Sequence, residues 1–129
     1  MPNFKEHLTT SFCITGIANF FLSLSKQNEE MRIGIRKEGS ILEAIGDAFI
    51  GGTGGAIGSM IPDTFDPPTH PNHRGRFHSV GNLVLSASLI GGESLSNNPK
   101  QNIFIKSVLC GNVIHLIQDS GTSKGIPIL

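Results

Sequence analysis

Histidine and aspartate are the residues of this sequence best suited to hold a metal ion or move a proton, and they are unevenly placed. Residues 61–79, IPDTFDPPTHPNHRGRFHS, contain Asp63, Asp66, His70, His73 and His78 together with four of the chain's seven prolines. The other two histidines are His7, near the start, and His115, which precedes Asp119 by four residues. On a helix an i,i+4 pair shares one face, with Cβ atoms about 5–6 Å apart, so His115 and Asp119 can share one ion or hold two adjacent ones. A plain histidine–carboxylate hydrogen bond fits the same spacing. Prolines stiffen residues 61–79, so little entropy is lost when their side chains become ligands. The alternative is a solvated proline-rich loop whose histidines are incidental. Imidazole and carboxylate ligands together suit zinc, manganese or iron, and the absence of clustered cysteine argues against a Cys-based structural zinc site. The supply of candidate ligands is enough for one or two ions. Arg74 and Arg76 carry guanidinium groups that match phosphate oxygens, and Arg74, between His73 and His78, is the better placed. Asp66 lies beside the ligand candidates without being an obvious ligand and is the candidate general base.

Four apolar segments must position these residues. The first covers about 4–25 and is followed by a charged, glycine-punctuated connector, MRIGIRKEG. The second covers about 40–60 and opens on a capping box, Ser40 with Glu43 three residues on. The third begins near Phe77 and stops at Gly91 and Gly92. The fourth starts at Asn98 as N-cap with Pro99 in the first helical position and stops near Gly121. Strand-like alternation is scarce, so the expected fold is all-α: one domain over 1–129, a compact four-helix bundle with a Pro/His-rich loop between helices two and three. Gly46, Gly51, Gly52, Gly54, Gly55 and Gly58 crowd the second segment. They lack the Lys-Ser/Thr of a phosphate-binding loop, and their spacing predicts a smooth helix face for a closely approaching backbone, or a local break at 51–55.

Ten basic and ten acidic residues cancel, which removes the electrostatic case for binding a nucleic-acid backbone or an anionic membrane non-specifically. Cys13 and Cys110 sit in apolar segments without a C-x-x-C partner and are expected to be small buried hydrophobes. The N-terminus has no basic leader before its apolar run and is expected to belong to the fold. Residues 8–25 carry no charge and approach the length of a membrane span, but Thr9, Thr10, Ser11, Thr15, Asn19, Ser23 and Ser25 dilute them, so a buried bundle helix is expected there.

MPNFKEHL at the start, GAIGSMIPDTFDPPTHPNHRGRFHS in the middle and GNVIHLIQDSGTSKGIPIL at the end together resemble the YdjM-like family of membrane-associated metal-dependent hydrolases. Shared features are an early histidine, Pro-Asp after a glycine-rich helix, His-Arg-Gly followed by His-Ser, and a late His-x-x-x-Asp. The resemblance implies a helical hydrolase site of zinc type, similar in ligand style to helical zinc phospholipases C and zinc nucleases. Carried over by position, its ligands are His7, Asp63, His73, His78, His115 and Asp119. Asp66 stands where relatives often have Glu or His.

The function expected is hydrolysis of a small-molecule or lipid-like phosphoester by a metal-activated water, with Asp66 as base and Arg74 stabilising the phosphoryl oxygens. The location expected is the cytoplasm or the inner face of its membrane. The rival is a metal-stapled binding or membrane-surface module without turnover.

Overall fold

The computed structural model describes residues 4–65 and 79–121. The described residues form four α-helices and no strand: α1 (Phe4–Arg32), α2 (Ile41–Phe65), α3 (Val80–Gly91) and α4 (Pro99–Ser120). The expected all-α bundle is what the chain adopts. α2 is the central helix, with α1 and α4 both packed on it and α3 held by α4.

The caps of α2, α3 and α4 have clear causes. Ser40 Oγ accepts the Glu43 N–H at 3.2 Å, the first half of a capping box. Ser79 caps α3 by accepting the Asn82 N–H, and Asn98 caps α4 by accepting from Lys100 and Gln101 ahead of Pro99. α1 outlasts its expected end at 25 by two turns. Lys26, Gln27, Glu29 and Glu30 are good helix formers, and Gln27 is buried, accepting the Ser40 N–H at 2.5 Å and so tying α1 to the start of α2. The helix stops at Gly34, whose φ of 83° lets the Ile35 N–H reach Glu30 O at 2.9 Å in a Schellman turn. α2 also runs past its expected end. It shows no break at 51–55 and continues through Pro62, a buried ring in the last turn. Asp63 is therefore on a helix, not on the loop where it was expected.

Three rows of small or polar side chains line the inside. Along α1, His7, Ser11, Thr15, Ser23 and Gln27 are buried at steps of four residues, with half-buried Asn19 completing the row. Along α4, Ser107, Gly111, His115 and Asp119 repeat the same step. α2 contributes Asp47, Gly51, Gly55, Gly58 and Ser59. Glycine here serves close approach. A Cβ at Gly58 would collide with the Val108 carbonyl, and one at Gly111 with the Gly55 carbonyl. Helices brought this near exchange hydrogen bonds: Asn19 donates to Ser107 Oγ at 3.0 Å, and Asn112 donates to Ser86 Oγ at 2.8 Å. Lys100 pairs with buried Asp47 between α4 and α2.

The outside is apolar. Among the described residues the fully buried hydrophobic side chains are those of Ala44 and Leu116, whereas Phe12, Ile17, Phe21, Phe49 and Leu85 are exposed. Two expectations are corrected by this pattern. Cys13 is exposed, because it lies off the polar row. The apolar window of α1 is only 22 % buried, because Ser11, Thr15 and Ser23 face the other helices while Phe12, Ile14, Ile17, Phe21 and Leu22 face outward.

Candidate metal centre

The site forms where the N-terminal turn of α1, the last turn of α2 and the last two turns of α4 come together. α4 presents His115 and Asp119 on one face through their four-residue spacing, as the sequence predicts. α1 adds His7 across from them, and α2 adds Asp63. His7, His115 and Asp119 each offer a ligand atom, and these atoms lie within 4.8 Å of one another. All three side chains are buried, His115 completely.

The details fit an ion. His7 Nδ1 is 2.9 Å from Gln118 Oε1, an oxygen that can only accept, so Nδ1 donates that bond and Nε2 is the nitrogen turned toward Asp119. Such a bond from the far ring nitrogen commonly orients a ligand histidine. His7 Nε2 stands 3.5 Å from Asp119 Oδ1, and His115 Nε2 stands 3.4 Å from Asp119 Oδ2 and 3.6 Å from Asp63 Oδ1. These separations are wider than the roughly 2.7–3.2 Å of a well-formed N–H···O bond. They match the spacing of neighbouring ligand atoms about 2.0–2.2 Å from a tetrahedral ion, which is about 3.3–3.6 Å. The two imidazole rings stack with centroids 3.8 Å apart and planes inclined by 21°.

Four of the sequence-predicted ligands, His7, Asp63, His115 and Asp119, are thus brought together, the first, third and fourth most tightly. His73, His78, Asp66 and Arg74, together with His70 and Arg76, lie outside the described residues. Sequence reasoning missed Gln118. Its signal was position alone, next to Asp119 and three residues after His115.

The helix rows also leave a cleft of about 780 Å³ between α1 and α4, with walls that include Ile14, Leu22, Ile103 and Ile114. Lys26, Lys100 and Lys106 lie along it. His7, Asp63, His115 and Asp119 do not line it. Comparison of the chain with known protein families, with characterised proteins and with solved structures finds no match. The functional reading accordingly rests on the sequence motifs and on the geometry of His7, His115 and Asp119.

Proposed function

We propose that the chain is a metal-dependent hydrolase of phosphate esters, of the kind its YdjM-like motifs imply, seated in a membrane with its metal centre at one end of the bundle. The observation that carries the metal reading is the convergence of three buried ligating side chains from the two ends of the sequence. His7, His115 and Asp119 would hold the ion, with Asp63 beside His115 and His73 and His78 completing the set. A divalent ion of zinc type held there would supply a water acidified toward neutral pH and polarise the ester. Asp66 would serve as the general base, and Arg74 would bind the phosphoryl oxygens through its guanidinium.

The membrane reading is supported by the distribution of charge. Residues 8–25, 48–62, 80–91 and 107–118 contain no Asp, Glu, Lys or Arg. As helices they cover roughly 18 to 27 Å along their axes, against a hydrocarbon core about 30 Å thick. α1 is long and apolar enough to cross a membrane. In lipid, helices associate through small residues and interhelical hydrogen bonds while their large apolar side chains face outward, which is the pattern here. The expected result is a chain that sediments with membranes after a carbonate wash and comes into solution only with detergent. Extraction by carbonate, with the chain monodisperse in plain buffer, would refute membrane insertion.

The near-complete burial of the three ligands favours one other reading, a metal-stapled module without turnover, since structural sites are closed and catalytic ones keep a position open. Turnover separates the two. With Zn²⁺ or Mn²⁺ supplied, the protein should hydrolyse a generic phosphodiester or phosphomonoester. Asp66→Asn should lose about 100-fold or more of that rate while retaining the metal. A metal-loaded protein inert on both esters would leave the module.

A further inference from the structure

The buried hydroxyls of this bundle have visible partners, with one exception. Thr15 Oγ1 donates to Ser11 O at 2.6 Å and Ser59 Oγ to Ala56 O at 2.7 Å, the usual habit of helical Ser and Thr. Ser23 bonds Gln27, Ser86 bonds Asn82 and Asn112, and Ser107 accepts from Asn19. Ser11 is completely buried, and its Oγ meets no donor or acceptor among the described residues. Such a group is destabilising unless something else occupies the space beside it.

Its position indicates what. Ser11 follows His7 by one turn on the same buried row of α1, about 5–6 Å along the axis. Helical side chains tilt toward the N-terminus, so the hydroxyl leans toward the layer that holds His7, His115 and Asp119. Across from its backbone lies Gly55 of α2. A Cβ built at Gly55 would come within 2.8 Å of Ser11 O, and Gly111 in turn abuts the Gly55 carbonyl. Neither glycine has a side chain to cover the serine, and neither can bond its hydroxyl through one.

We propose that Ser11 is a positioning residue of the metal centre, its hydroxyl hydrogen-bonding an oxygen ligand of the ion, either water or an ester oxygen. This rests on the metal reading above and adds to it a residue that no motif marks. Ser11 holds that oxygen in place from beneath His7, and it keeps the hydroxyl that its tight packing would otherwise exclude.

Ser11→Ala tests this without enlarging the side chain. Two quantities are read on purified protein: the unfolding midpoint of the metal-free form, and zinc affinity by chelator competition. The midpoint is expected to stay level or rise, because an unsatisfied hydroxyl has been removed. Zinc affinity is expected to fall by about 10–100-fold, the usual effect of losing an outer partner of a metal site. Wild-type zinc affinity in Ser11→Ala would overturn the role of Ser11 while leaving the metal centre intact. A metal-free variant melting well below wild type would overturn it too, since the hydroxyl would then be bonded within the protein. Failure of the wild type to bind zinc would remove the metal reading and this inference together.

Discussion

Gly58→Leu is expected to yield no folded protein, and Gly58→Ala to fold poorly. At this position α2 and α4 touch backbone to backbone, and a Cβ would occupy the space of the Val108 carbonyl and Cα. Backbone cannot rotate aside as a long side chain can, so the two helices must separate. That separation would pull apart the polar contacts that hold α1, α2 and α4 together, including the layer of His115 and Asp63. Overpacking of an ordinary core costs about 1–3 kcal/mol, and a clash with main chain lies at or above the top of that range. Set against a total stability of about 5–15 kcal/mol, a leucine there is decisive. Gly46→Ala is the control on the same helix. Nothing lies within 4 Å of a Cβ at Gly46, so the substitution should stabilise by up to about 1 kcal/mol through helix propensity alone. Thermal unfolding in detergent, followed by circular dichroism, reads both. Equal behaviour of the two variants would show that α2 and α4 are not in close contact.

Asp119→Asn is expected to abolish high-affinity metal binding while leaving the helices in place. The carboxylate faces both imidazoles, with Oδ1 toward His7 and Oδ2 toward His115, so it joins the two ends of the chain. Asparagine keeps the shape and removes the charge, and an amide is a poor ligand for an ion of zinc type. The loss in zinc affinity should exceed the roughly 10–100-fold that an outer partner is worth, and so exceed that of Ser11→Ala. Chelator competition on both variants gives that order. An Asp119→Asn protein that binds zinc as tightly as the wild type would remove Asp119 from the ligand set.

Much of this was legible in the sequence because it is local. Ser40 with Glu43, and Asn98 with Pro99, mark helix starts through hydrogen bonds that span three residues, and the structure places them as expected. The four-residue step from His115 to Asp119 needs nothing but a helix to become a shared face. The meeting of those residues with His7 depends on how α1 and α4 pack on α2, which periodicity in any one segment does not specify. The motif resemblance names all three as ligands without deriving how the helices bring them together. The direction in which α1 faces was misjudged for a physical reason. Ser11, Thr15 and Ser23 were taken to dilute an apolar span, although their four-residue step is itself a pattern. The usual buried row of an amphipathic helix is its greasy one, whereas in α1 the row of small polar groups is buried and Phe12, Ile17 and Phe21 are exposed. The same inversion explains why Cys13 is exposed. α2 runs past its expected end near 60 because Pro62 is accommodated in the final turn, which carries Asp63 onto the helix.

The central claim is that His7, His115 and Asp119 hold a metal ion. Elemental analysis of the detergent-purified wild-type chain, beside a His7→Ala/His115→Ala double variant confirmed as helical, tests it most directly. At least one zinc, manganese or iron ion per wild-type chain, with none in the double variant, is the result predicted. A folded wild-type chain that retains no ion after exposure to saturating zinc, manganese and iron would contradict it.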